Sequence, residues 1–154
     1  MAIPRARLIS VIGAGNASGP PWQWAQTVGR LLAQEGYGVV CGGLGGVMEA
    51  AAMGCAQAGG LSVGILPGAD PDQANPWCRV VIPSGLGQAR NVLVVQSGLG
   101  VIAISGGGGT LSEIGHALKL GRPVVGLGTW ELPGVPEASG PEEAVELLLD
   151  RLRP

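Results

Sequence analysis

Short β-branched runs alternate with longer amphipathic stretches along this chain. Arg7–Gly15 (RLISVIGAG) predicts a first strand, and Trp22–Gly36 a helix with Pro20 and Pro21 at its start and Gly36 at its stop. Gly38–Gly43 (GVVCGG) predicts a second strand, Gly46–Gly60 an alanine-rich helix, and Leu61–Gly68 a third strand. Ala69–Cys78 has no period and two prolines, so it reads as a loop. A strand over Arg79–Gly85 follows, then a helix over Gln88–Gly98 despite its valines, then a strand over Leu99–Ser105. The helix TLSEIGHALKLG, a strand over Pro123–Gly128, a proline-rich loop over Thr129–Gly140 and a last helix complete the pattern.

Regular alternation of strand and helix is the signature of a parallel sheet covered on both faces. The strands are almost wholly apolar, as strands buried on two sides must be. The fold expected is α/β: a doubly wound, mostly parallel sheet of six or seven strands, a Rossmann-like three-layer sandwich. Residues 1–154 are expected to form one nucleotide-binding domain, since no linker, repeat or low-complexity tract divides them.

Composition narrows the function. Charged residues make up 13% of the chain, against roughly 25% in an ordinary soluble domain. A surface so poor in charge predicts a homodimer or higher homo-oligomer. The formal charge of −2 offers no bulk attraction to nucleic acid or to an anionic membrane. Cys41, Cys55 and Cys78 are odd in number and lack CxxC spacing, so reduced thiols in a cytoplasmic protein are expected. The first residues lead straight into a strand-like run, with no signal-peptide pattern and no apolar stretch of membrane-spanning length.

In a doubly wound sheet, ligands bind outside the carboxyl ends of the strands. Three strand-to-helix turns at that edge are glycine-rich. They carry Gly13, Gly15 and Ser18; Gly42, Gly43, Gly45 and Gly46; and Gly106, Gly107, Gly108, Gly109 and Thr110. Glycine lets a ligand approach the backbone, and a helix start supplies free N–H groups and a partial positive charge. Their convergence predicts a phosphate or nucleotide site. A Walker A loop is excluded, because no Lys-Ser/Thr follows the glycines. A dinucleotide fingerprint is excluded too, because Ser18 stands where its third glycine belongs and no acid follows the second strand. No metal site is expected, since His116, the single histidine, has no Cys or His at ligand spacing.

Glu113 admits two readings. Thr110-Leu111-Ser112-Glu113 fits a capping box, with Thr110 as N-cap. Alternatively the carboxylate faces a ligand. His116, one turn on, is expected to be packed or hydrogen-bonded within its helix. Arg90 heads the helix after the fourth strand, where a cation opposes the helix dipole, which suggests an anionic ligand.

GGLGGVMEAAAMGCAQAGG, GILPG, QARN and GGGGTLSEIGHALKLGRPVVGL together resemble the Rossmann-like family of the "lonely guy" phosphoribohydrolases, often mislabelled lysine decarboxylases. Within it they are most similar to a bacterial branch related to the algal molybdenum cofactor carrier protein. The resemblance covers nearly the whole chain. It implies a glutamate and an arginine acting together, at Glu113 and Arg90, on the N-glycosidic bond of a nucleoside 5′-monophosphate, with no cofactor required. It equally implies, through the carrier branch, a non-catalytic protein with molybdenum cofactor as bound ligand. A sensor of a nucleotide derivative is a third outcome. Two positions depart from the hydrolase pattern: Ser105 replaces a proline, and Asn91 replaces a lysine. The ligand class, a phosphorylated small molecule, is therefore carried over more firmly than the reaction.

Overall fold

The computed structural model describes residues 1–154. Six strands form one parallel sheet: β1 (Leu8–Gly13), β2 (Gly38–Cys41), β3 (Ser62–Leu66), β4 (Val80–Pro83), β5 (Val101–Ile104) and β6 (Val124–Leu127). Their order across the sheet is β4-β3-β2-β1-β5-β6. The chain winds outward from β1 to β4, then crosses back to β5 on the other side of β1. That reversal opens a crevice at the carboxyl ends of the central strands.

Helices α1 (Pro20–Gln34), α2 (Val47–Gln57) and α5 (Pro141–Leu152) cover one face, and α3 (Arg90–Ser97) and α4 (Gly108–Lys119) the other. The strands send alternate residues to the two sides. Ile9, Val11, Val39, Ile102 and Ile104 enter the first core, whereas Ile12, Val40, Val101 and Ala103 enter the second. Phenylalanine is absent from the chain, so valine, isoleucine and alanine fill both layers, with leucines in the first.

Small residues let the helices of the first layer pack closely. A Cβ on Gly29 of α1 would lie 2.1 Å from the Ala51 carbonyl oxygen, and one on Gly54 of α2 would lie 1.9 Å from that of Gln26. The backbones of α1 and α2 are therefore in direct contact. The two buried serines are satisfied: Ser10 Oγ donates to the Val94 carbonyl at 2.7 Å, and Ser62 Oγ to that of Trp77 at 2.5 Å. No helix is long and apolar enough to cross a membrane.

Element boundaries differ from the sequence pattern in two places that matter. The residues before α3 form a 3-10 turn, Gly87–Ala89, so Arg90 opens the α-helix proper. Helix α4 begins at Gly108, inside the glycine run, and not at Thr110.

Candidate functional site

The crevice above β1, β2 and β5 holds a cleft of about 280 Å³. The β1 end contributes Gly13, Ala14 and Gly15. The β2 end contributes Gly42, and α2 contributes Met48. Arg90 and Asn91 enter from the start of α3, and Gly107, Gly109, Thr110 and Glu113 from α4 and the turn before it. Three glycine turns and both charged candidates thus meet in one concavity, across roughly a hundred residues of chain.

The glycines divide into two physical classes. Some are required by the backbone itself. Gly46 holds φ +64°, and a Cβ there would lie 2.2 Å from the Ala14 carbonyl oxygen, so it lets the first two turns touch. Gly106 holds φ +101°, and a Cβ there would lie 2.1 Å from Thr110 Oγ1. Gly43 holds φ +80° with a Cβ position 2.8 Å from Leu66, whereas at Gly45 the nearest atom would be the Gly15 carbonyl oxygen at 3.3 Å; Gly43, Gly45, Gly46, Gly106 and Gly108 lie outside the cleft lining. At Gly107, Gly108 and Gly109 an added Cβ would meet nothing within 4 Å. These positions border open space. Ser18 is exposed and stands outside the cleft.

The backbone N–H groups from Gly106 to Thr110 find no acceptor within the protein. The first of them precede α4 and the rest belong to its first turn, where intrahelical acceptors do not exist. Gly107 and Gly109 line the cleft directly, so this ledge presents unpaired donors and the positive end of a helix dipole.

Ser105 leads into the ledge with φ 56°, and it is the only non-glycine residue with positive φ. Proline, locked near −65°, cannot adopt that conformation, so the departure from the hydrolase pattern changes how the chain enters the loop. The left-handed conformation costs a non-glycine residue about 1 kcal/mol or more. Ser105→Gly is expected to raise stability by about 0.5–1 kcal/mol, seen as a higher urea midpoint. A fall would show that the serine side chain holds the turn.

Glu113 is not a helix cap. Because α4 starts at Gly108 with Gly107 as N-cap, Thr110 already lies inside the helix, and no side chain caps this end. Thr110 is buried against Gly106 instead. The Glu113 side chain lines the cleft at 8% exposure, with no hydrogen bond or salt bridge to the rest of the protein. Burial raises its pKa to about 7, partly opposed by the nearby Arg90 charge.

Arg90, at 7% exposure, is held by protein acceptors. Its Nε donates to the Ile65 carbonyl at 3.0 Å, its Nη2 to that of Gly42 at 3.3 Å, and its Nη1 to Asn91 Oδ1. Burial lowers its pKa, while the charge of Glu113 acts the other way. Asn91, noticed in the sequence only as a departure, thus lines the cleft and accepts a hydrogen bond from Arg90. The His116 side chain is exposed and makes no hydrogen bond, against the expectation that it packs or bonds within its helix: its position on α4 faces away from the sheet.

The loop after β3 is tied to the glycine turn after β2. Asn75 N donates to the Gly43 carbonyl and its Nδ2 to that of Leu44, both at 2.9 Å. Thr129 and Trp130, in the loop after β6, bond to the carbonyls of Ser105 and Gly107. Neither contact has a local signal in the sequence.

Comparison with known proteins agrees with this architecture. An uncharacterized protein of Archaeoglobus fulgidus is 44% identical over 138 residues, 89% of this chain and 91% of that one. The molybdenum cofactor binding protein of Rippkaea orientalis superposes with a TM-score of 0.90 at 36% identity, covering 97% of this chain and 99% of its own. The molybdenum cofactor carrier protein of Chlamydomonas reinhardtii gives 0.88 at 30% identity, covering 96% and 99%. Residues 6–150 match the SLOG cluster4 family, and this chain belongs to that family.

Proposed function

We propose that this protein binds a phosphorylated pterin of the molybdenum cofactor type as cargo, without breaking a bond in it. The observation that carries the reading is the ledge at Gly106–Thr110: five successive N–H groups without protein acceptors, next to glycines whose missing side chains leave open space. Such a ledge suits the oxygens of a phosphate. Glu113 stands farther along the same helix, where a cargo seated by its phosphate would present N–H or O–H donors to the unpartnered carboxyl. The similarity to a cofactor-binding and a cofactor-carrying protein supplies the pterin as ligand class.

The state of the two charged groups supports binding over hydrolysis. Three of the five N–H groups of Arg90 are committed to Ile65, Gly42 and Asn91. Glu113, with its pKa near 7, is only partly ionised at neutral pH, which weakens it as a stabiliser of positive charge on a ribose. The same pKa supports a second reading. A carboxyl poised near neutrality is suited to general-acid work on the N-glycosidic bond of a nucleoside 5′-monophosphate.

One experiment separates them. The purified protein is loaded with molybdenum cofactor released from a molybdoenzyme, and retained molybdenum and pterin fluorescence are measured. In parallel it is incubated with AMP, and free adenine is sought by chromatography. Cofactor retention without adenine is expected; adenine release without retention would overturn the carrier reading in favour of the hydrolase. Gly109→Asp provides the site control. Its Cβ has room, and an acid in the first turn suits the helix, so the melting temperature should hold. The new carboxylate should weaken cargo binding at least about tenfold, the equivalent of about 1.4 kcal/mol.

A further inference from the structure

Four successive glycines cannot hold a defined loop by their own conformational preferences. Yet the turn from β5 into α4 must keep its carbonyls away from any bound anion. Two residues of a different loop do this. Thr129 Oγ1 donates to the Ser105 carbonyl at 2.7 Å, and Trp130 Nε1 donates to the Gly107 carbonyl at 3.0 Å. The Gly107 oxygen also accepts from Leu111 N at 3.0 Å, so it points along the helix.

A peptide unit is planar and trans, so the carbonyl of one residue and the N–H of the next point in opposite directions. Holding the Ser105 carbonyl fixes the Gly106 N–H, and holding the Gly107 carbonyl fixes the Gly108 N–H. Both N–H groups are among those without protein acceptors. Thr129 is half-buried and rests on a firm base, whereas Trp130 is exposed. Gly128, with φ +61°, turns the chain directly before them, and a Cβ there would lie 2.9 Å from the Trp24 ring. The Thr129 methyl packs on Gly126, 2.8 Å from where a Cβ would lie.

We propose that Thr129 and Trp130 are positioning residues for the anion seat, orienting two peptide planes of the glycine loop so that their N–H groups stay turned to the ligand. This rests on the phosphate ledge of the proposed function. Neither side chain touches the ligand; each acts through a carbonyl. The ordering cost of the loop is then met on folding and not on binding, which raises affinity.

The test uses the full chain and the double variant Thr129→Val/Trp130→Phe, which is isosteric at the first position, keeps an aromatic ring at the second and removes both donors. Backbone ¹⁵N relaxation reports Gly106 to Gly109 without any ligand, and titration with inorganic phosphate reports affinity. The parent loop is expected to be rigid, with order parameters near about 0.85, falling below about 0.6 in the variant. Phosphate affinity is expected to drop about tenfold, while the melting temperature, set by the sheet and its two cores, changes little. Equal order parameters in parent and variant overturn the clamp whether or not phosphate binds. A loosened loop with unchanged affinity overturns the positioning role. A rigid parent loop that binds no phosphate overturns the anion seat itself, and the clamp's role in binding with it.

Discussion

Arg90→Ala is expected to lower the stability of this protein by about 3–5 kcal/mol, read from the urea midpoint at constant slope. Two separate losses add. The guanidinium satisfies the Ile65 and Gly42 carbonyls at the carboxyl ends of β3 and β2. Leaving each of these without a donor in a buried place costs about 1–3 kcal/mol. The positive charge also opposes the burial of Glu113, and without it that carboxyl would be driven further toward its protonated form. Arg90→Lys should recover only part of the loss, because one ammonium on a flexible stem cannot reach three acceptors in a fixed fork. An alanine variant as stable as the parent would mean that water replaces the guanidinium at no cost, and the structural role given to Arg90 would fall.

Glu113→Gln is expected to act in the other direction, and only at higher pH. The folded protein holds the Glu113 proton up to about pH 7, whereas an unburied glutamate releases it near 4.5. Between those values the folded state binds more protons than the unfolded state. Its stability therefore falls as pH rises through that window, and levels off above it. Each unit of displacement corresponds to about 1.4 kcal/mol. Glutamine removes the penalty but also leaves the buried Arg90 without its neighbour, so a net gain of about 2 kcal/mol at pH 8.5 is expected. For a chain of this length that is a rise of roughly 4–8 °C in melting temperature. At pH 4 the two proteins should melt together. A parent whose stability climbs from pH 4.5 to 7 would show instead that Glu113 is held as a paired anion.

Much of the fold was legible because burial on two faces leaves little choice of residue. Runs such as Val101–Ile104 and Val124–Leu127 are buried throughout, and only a doubly covered strand asks for that pattern. The valines of α3 did not mislead, because the strands on either side left no other connection. The glycines were harder. A sequence shows that a side chain is absent and not why, so Gly46 and Gly106, which the backbone needs, look like Gly107 and Gly109, which border the cleft. Glu113 could not be read from TLSE, because the choice between cap and cleft depends on where the helix starts. Gly108 and Gly109 settle that by taking helical geometry. Thr129 and Trp130 lie in an aperiodic loop, and their partners are 24 and 23 residues away. No local pattern records such a pairing.

The winding of the sheet has a consequence for when this protein can bind a ligand. The cleft draws on residues from Gly13 to Glu113, brought together only after β5 has slotted in beside β1. Only the Gly106–Thr110 ledge is contiguous; the rest of the cleft comes mainly from the turns after β1 and β2 and from the start of α3. A nascent or partly melted molecule therefore lacks the assembled cleft, and occupancy reports that the chain from β1 to α4 has come together. The converse also holds: a ligand present at a hundred times its dissociation constant adds about 2.7 kcal/mol to global stability. A liganded molecule would outlast an empty one under heat or proteolysis, and the ligand would select for survival the copies that had folded well enough to hold it.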